Sequence, residues 1–431
     1  MEVCVIGAGH VGLVTGACFA EIGHRVVCVD NDAKRIAGLK RGRIPFYEPG
    51  LEALVRRHAG KRLAFTTRFL DGVRQGHVIF IAVGTPPKPN GEADLTFVEG
   101  VCRDIARSMR AYRLIVEKST VPVETGKWLR RTIAMSQKQP VPFDVASNPE
   151  FLREGTAVHD FLHPDRIVLG VETPKARDQL VQIYRPIKAP VVITDIASAE
   201  LIKHASNSFL AAKISFINTI AQVCDVVGAD VEKVAEGMGL DPRIGKAFLD
   251  AGVGFGGFCL PKDIEAFICI AEKIGVDFQL LKAARLVNEQ QRQLLVKKIE
   301  GRLWNLKQKT VGVWGLSFKP QTDDMRLAPS IDIIRRLSEA GAKVKAYDPQ
   351  AMREARHYLD HGVTLCRSAY EAARGSDCLV LLTEWPEFRE KIDWPRLKRS
   401  MNHPIIVDGR NFLDSTRLRK DGFEYVGMGH S

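Results

Sequence analysis

The sequence predicts an α/β protein: two doubly wound, Rossmann-like domains joined by a long central helix. Three observations carry that reading. Over residues 2–30 a strand, a glycine-rich turn, a helix, a second strand and an acid follow in order. The same frame returns late in the chain, where Glu339-x-Gly341-x-Lys343-Val344-x-x-x-Asp348 matches Glu21-x-Gly23-x-Arg25-Val26-x-x-x-Asp30 position by position. Between the two lie long helical patterns at about 196–227 and 278–304. At 431 residues the chain has room for two or three cores. The expected domains are residues 1–195, a helical middle over 196–304, and 305–431.

Taken in order, residues 2–6 read as a buried strand, and Gly7-Ala-Gly9-His-Val11-Gly12 turns it into a helix over 11–22. Glycines at this spacing allow a tight turn and let the backbone approach a pyrophosphate, which rests on the helix N-terminus. The second strand ends in Asp30, where a carboxylate would bond ribose hydroxyls and repel a 2′-phosphate. That arrangement selects NAD over NADP. Further strands are expected at 78–83, 114–117, 141–146 and 167–171. Ligands of such sheets sit at the carboxyl ends of the strands, so Thr85 and Thr120 are placed to meet the cofactor. From Thr310 a second strand–turn–helix begins, but Gly315-Leu-Ser-Phe-Lys-Pro-Gln lacks the glycine triplet and is expected to hold no dinucleotide. Lys319 and Arg326 there are candidates for the phosphates of another ligand.

Chemistry concentrates in Gly252-Val-Gly-Phe-Gly-Gly-Phe-Cys-Leu-Pro-Lys-Asp263. Four glycines in six positions suit a ligand-binding loop, and Pro261 marks the first turn of a helix. Cys259 then falls just outside the positive end of the helix dipole, beside Lys262. That setting lowers a thiol pKa and makes a nucleophile. Asp263 is expected in the first turn, able to orient water or take a proton. On a helical pattern, Lys203 and Asn207 share a face; Glu150 and Glu154 would do so if their stretch is helical. His159/His163 and His357/His361 have the i, i+4 spacing of a metal pair but no evident third ligand. Both pairs read as surface helix residues, and no metal is expected.

With Gly84-Thr85-Pro86, Lys118-Ser119-Thr120-Val121, Asn148-Pro149-Glu150-Phe151-Leu152, Glu200-Leu201-x-Lys203, Gly254–Asp263, Phe318-Lys319 and Asp408-Gly409-Arg410-Asn411 in this order, the chain resembles the UDP-glucose/GDP-mannose dehydrogenase family. The likeness covers nearly the whole length. It implies a middle like that of 6-phosphogluconate dehydrogenase, and a four-electron oxidation of a sugar 6-hydroxymethyl group to a carboxylate with two NAD in turn. The substrate would be a nucleotide sugar, with UDP-glucose ahead of GDP-mannose or UDP-N-acetylmannosamine. Cys259 would form a thiohemiacetal and then a thioester; Lys203 and Asn207 would stabilise oxyanions; Asp263, Thr120 and Glu154 would manage water and protons. NAD would meet Gly7, Gly9, Val11, Gly12, Asp30, the basic Arg35, Thr85, Thr120, Glu154, Lys262 and Arg326. The sugar nucleotide would meet residues 150–154 (Arg153 included), Lys203, Asn207 and the run Phe248, Leu249, Asp250, Ala251, Gly252. Gly256, Lys319 and Arg410 would complete that site, with Arg243 reaching in from a partner subunit. Phe258 departs from the serine common in the family, and Leu260-Pro261 resembles the GDP-mannose branch as much as the UDP-glucose one. A non-catalytic nucleotide-sugar sensor would have lost Cys259, Lys203 or Asp263, and all three are present.

Composition agrees. The net charge of +11 is scattered in pairs such as Arg56-Arg57 and Lys297-Lys298, with no basic arm for nucleic acid. Nine cysteines without paired spacing point to a reducing cytoplasm. No uninterrupted apolar run is long enough for a bilayer, and the long central helix is expected to supply a homodimer surface.

Overall fold

The computed structural model describes residues 1–430. They divide into two compact units, Met1–Ser206 with Glu265–Val276, and Asn207–Ile264 with the chain from Asp277 onward.

The first unit is built on an eight-stranded sheet. Its strands are β1 (Glu2–Ile6), β2 (Arg25–Val29), β3 (Leu63–Thr66), β4 (Val78–Ile81), β5 (Arg113–Glu117), β6 (Phe143–Ser147), β7 (Ile167–Val171) and β8 (Val191–Thr194). The order is β3-β2-β1-β4-β5-β6-β7-β8, parallel except for the β6–β7 pair. Side chains alternate between faces, so each strand feeds two cores. Val3 and Val5 join Leu13, Phe19 and Phe80 on one side, while Cys4 and Ile6 join Ile79, Ile105 and Ile115 on the other. The strand order reverses between β1 and β4, and a ligand crevice opens at such a switch point.

The second unit repeats the plan with six parallel strands. These are β9 (Thr310–Trp314), β10 (Lys343–Tyr347), β11 (Thr364–Leu365), β12 (Cys378–Leu381), β13 (Ile405–Asp408) and β14 (Glu424–Val426), in the order β11-β10-β9-β12-β13-β14. Asp348 stands where Asp30 stands in the first sheet, yet its setting differs. One oxygen accepts the Leu316 and Ser317 amides, the Ser317 hydroxyl and the Trp385 indole N–H; the other accepts the Gln350 and Ala351 amides. The carboxylate is sealed from solvent and committed to holding its own turn.

The expected helices at 196–227 and 278–304 are present as Ile196–Val227, the spine helix, and Gln279–Leu303. By length and composition alone the spine helix is apolar enough to cross a bilayer. It is nevertheless interrupted by Glu200, Lys203, His204 and Asn207, all buried within the protein. Expected strands 78–83 and 141–146 are shifted by up to two residues, and β3 and β8 were not anticipated.

Candidate active site

The dinucleotide turn is tested most directly by what a Cβ would meet. At Gly7 (φ +101°) it would lie 2.4 Å from the Ala82 carbonyl oxygen, and at Gly12 1.9 Å from that of Gly7; at Gly9 nothing lies within 4 Å. Two glycines are thus demanded by the fold. The middle one leaves open backbone at the N-terminus of the helix His10–Glu21, as a pyrophosphate requires. Asp30 accepts the Ala8 amide at 2.8 Å and the Asp32 amide at 2.9 Å, and pairs with the Arg35 guanidinium at 2.8 Å. These residues fit NAD. Nearby, the Thr85 hydroxyl donates to the Thr120 carbonyl at 2.9 Å, which ties the loops after β4 and β5 together.

Beneath those loops the first unit carries a dense set of buried charges. Lys203 pairs with Glu150 at 3.1 Å, both side chains being almost fully buried. Glu150 also accepts the Leu152 amide at 2.6 Å. Phe151 lies under two cations, the Arg166 guanidinium at 3.7 Å and the Lys203 ammonium at 5.4 Å from its ring centroid. Lys118 donates to the Asn148 side chain at 3.0 Å, and burial pushes its ammonium pKa down to about 8. His204 reaches the Val121 carbonyl at 2.7 Å, so the spine helix grips the Thr120 loop.

Residues 150–156 are not helical, so the condition under which Glu150 and Glu154 would share a helix face is not met. A short helix begins only at Ala157, preceded by Gly155 at φ +84°. It ends at Leu162, so His163 lies just beyond it, and His361 likewise lies outside Met352–Tyr358. The two expected histidine pairs are therefore not helical pairs. The structure instead brings Asp230, Glu232 and His430 together, an exposed acidic group that no sequence spacing announces.

In the second unit, Cys259 is the exposed cysteine; of the other eight, seven are buried and Cys269 is partly so. It is the first residue of the helix Cys259–Lys273, two places earlier than Pro261 implied. The first turn of a helix needs no amide donors, so proline is tolerated anywhere within it and marks a start only roughly. Asp263 consequently sits in the second turn, not the first. It gains a more useful place, one turn from Cys259 on the same face. Asp263 is buried, accepts the Asn207 side-chain amide at 2.6 Å and pairs with Lys262 at 2.7 Å. The Lys262 charge is therefore shared with this carboxylate. Phe258 lies under the Arg326 guanidinium at 4.5 Å, and Arg326 forks onto Asp324.

The glycine loop differs from expectation in one respect. Gly252, Gly254, Gly256 and Gly257 are buried, and a Cβ on each would collide with the protein itself. The atoms met are the Gly409 carbonyl oxygen at 2.8 Å, Asn288 at 2.3 Å, the Leu327 carbonyl oxygen at 2.5 Å and the Phe318 ring at 2.8 Å. These glycines let the loop pack against its neighbours. A cavity of about 540 Å³ opens beside them, lined by Lys246, Leu249, Asp250, Ala251 and Arg410 and by Gly252 and Gly254 of the loop itself. That volume lies in the range of small-molecule sites. Arg410 also staples the walls, donating to the carbonyls of Leu382, Gly254 and Phe318 at 2.8, 3.1 and 3.1 Å. Phe248 holds φ +65°, an uncommon state for an aromatic residue. Arg243 is exposed and forked onto its neighbour Asp241.

Comparison with known proteins matches this geometry. Residues 1–188 match the NAD binding domain of the UDP-glucose/GDP-mannose dehydrogenase family, 197–290 its central domain and 312–415 its UDP binding domain. The chain belongs to this family. It is 46% identical to UDP-glucose 6-dehydrogenase TuaD of Bacillus subtilis (strain 168), over 99% of this chain and 93% of that protein. It is 45% identical to a UDP-glucose 6-dehydrogenase of Rhizobium meliloti (strain 1021), covering 100% and 99%. Among solved structures, a UDP-glucose dehydrogenase from the hyperthermophilic archaeon Pyrobaculum islandicum superposes with a TM-score of 0.94 at 39% identity, covering 100% of this chain and 98% of that one. The chain is an NAD-dependent oxidoreductase of nucleotide sugars.

Proposed function

We propose that the chain oxidises UDP-glucose to UDP-glucuronate through a covalent intermediate on Cys259. One observation carries the mechanism. The exposed cysteine opens a helix and shares a face with a buried Asp263, which is itself held by Asn207 and Lys262. The full-length likeness to UDP-glucose enzymes supports the choice of sugar.

The reaction needs two hydride removals and one hydrolysis. Bound NAD supplies the hydride acceptor, once for each oxidation. The 6-hydroxymethyl group gives up a proton and a hydride and leaves an aldehyde; Asp263, Glu154 and Thr120 are assigned to the proton and water steps. The Cys259 thiolate, favoured at a helix N-terminus, adds to the carbonyl carbon to give a thiohemiacetal. Loss of a second hydride, with the proton of the thiohemiacetal hydroxyl, yields the thioester. Water then attacks, the C–S bond breaks and the thiolate is regenerated with a free carboxylate. Lys203 and Asn207, one turn apart on the spine helix, are assigned to the oxyanions of these steps. The balance is one UDP-glucose, one water and two NAD consumed, with one UDP-glucuronate, two NADH and the released protons formed.

The remaining assignments also belong to this reading. NAD is held by Gly7 to Gly12, Asp30 and Arg35. The nucleotide lies against residues 248–252, Lys319 and Arg410. The active unit is a homodimer: Phe209, Phe216 and Val223 recur every seven residues on the spine helix and are each more than half exposed. Nine cysteines outside any disulfide suit the cytoplasm, and the polar residues of the spine helix favour a buried role over a membrane one. The test is NADH formed per nucleotide sugar consumed, across UDP-glucose, GDP-mannose and UDP-N-acetylmannosamine. Two per UDP-glucose is expected. A ratio of one with free aldehyde would refute the thioester, and preference for another sugar would refute the substrate.

A further inference from the structure

The segment Pro45-Phe46-Tyr47-Glu48-Pro49-Gly50 joins two short helices, and an acid in such a stretch ordinarily faces water. Glu48 does not. Its side chain is 0% exposed. One carboxylate oxygen accepts the Ala157 amide at 2.9 Å, and the other accepts the Gly155 amide at 2.7 Å. The His10 imidazole lies 3.0 Å from that second oxygen, with its ring stacked on Phe46 at 4.5 Å. A carboxylate is costly to bury unless its lone pairs are answered; two backbone amides answer them here, and the His10 ring nitrogen stands within ion-pair range without hydrogen-bond geometry.

Each part belongs to the reaction machinery. His10 follows Gly9 and is the first residue of the helix on whose N-terminus the dinucleotide turn is built. Gly155 directly follows Glu154, and Ala157 comes two residues later. The turn at 154–156 has no cap of its own, since Thr156 makes no side-chain cap bond to the helix Ala157–Leu162. Glu48 supplies that cap from more than a hundred residues upstream. Charge-assisted bonds to backbone amides are the strong kind, and two from one carboxylate fix both position and orientation.

We propose that Glu48 is the positioning residue for Glu154, and that through His10 it registers the Glu154 turn against the dinucleotide turn. The inference rests on the assignment of Glu154 to the proton and water steps. Glu48 touches neither substrate nor cofactor.

Glu48→Gln tests it with little change of shape. An amide side chain has one accepting oxygen, so one of the two backbone N–H groups would face an NH₂ donor. With wild-type folding by circular dichroism, kcat is expected to fall about tenfold to a hundredfold, as for a catalytic group displaced by about an ångström. KM for UDP-glucose should move far less. The decisive readout is the double-mutant cycle with Glu154→Gln. Positioning through Glu154 means that E48Q lowers kcat much less in the E154Q background than in the wild type. An equal factor in both backgrounds would overturn the proposal, and so would a wild-type kcat in E48Q.

A second measurement needs no turnover. Hydrogen exchange of a peptide covering 150–158 should quicken about tenfold or more in E48Q, and NAD should slow it in the wild type but not in His10→Phe, which keeps the stacking ring. Unchanged exchange in E48Q, or NAD protection that survives in H10F, would overturn the link. Failure of UDP-glucose oxidation in the wild type would refute the functional reading alone, because the exchange result stands apart from it. Should E48Q not fold, H10F still decides through the same cycle with E154Q and the same NAD-dependent exchange.

Discussion

Replacing Glu117 by glutamine should change how stability depends on pH. Glu117 ends β5, immediately before the loop that carries Thr120, and is 1% exposed. One of its oxygens accepts the Ser119 amide at 2.9 Å; the other is buried without a hydrogen-bond partner among the described residues. Burial raises its pKa from 4.5 to about 8, with Glu200 adding to the rise. Burial likewise raises Glu200 to about 7, although its oxygens accept the Glu124 and Gly126 amides. The folded protein therefore holds the Glu117 proton where the unfolded chain has released it. The stability this confers is complete below pH 4.5 and is lost as pH rises toward 8. One pKa unit corresponds to about 1.4 kcal/mol, so the full shift sets a ceiling of about 5 kcal/mol. Water penetration into the loosened site should reduce the effect to about 2–3 kcal/mol. E117Q keeps an acceptor for Ser119 but cannot ionise, and so escapes the loss. Urea unfolding of both proteins at pH 5 and pH 8.5 should show E117Q gaining on the wild type by that amount as pH rises. A difference independent of pH would refute the reasoning, because Glu117 would then not titrate between those values.

Cys259→Ser should lower steady-state NADH production by roughly 10³-fold or more while calorimetry still detects UDP-glucose binding; near-normal turnover would remove the covalent mechanism. Asp30→Ser frees Arg35 from its 2.8 Å partner and removes the group facing a 2′-phosphate. The ratio of kcat/KM for NAD over NADP should fall at least about tenfold, and an unchanged ratio would show that Asp30 does not read the ribose. Phe216→Glu places a charge in the exposed seven-residue stripe. Light scattering should find the wild type dimeric and this variant shifted toward monomer, and an active wild-type monomer at assay concentration would refute the dimer.

What the sequence made legible follows from the range of the forces involved. The two sheets could be read because the spacing of glycines, strand and acid is a local requirement, met at Gly7, Gly12 and Asp30 within one strand–helix–strand unit. The exposed thiol could be read for the same reason, since Cys259, Pro261 and Asp263 lie within two helical turns. Distant partners left no such mark. The crowding of the glycines at 252–257 could not be foreseen because the atoms that press on them come from Asn288, Phe318, Leu327 and Gly409. Whether Glu150 and Glu154 share a helix face could not be read locally, because Glu150 turns onto the Leu152 amide and onto Lys203, fifty-three residues away. Glu48 was invisible because a cap delivered through space has no sequence spacing. Its only local trait is an acid flanked by Tyr47 and Pro49. The chemistry of the site is thus written in short motifs, while its precision depends on buried charges whose partners the fold alone supplies. Substitutions at Glu48 or Glu117 should therefore disturb the reaction without altering any motif by which the chain is recognised.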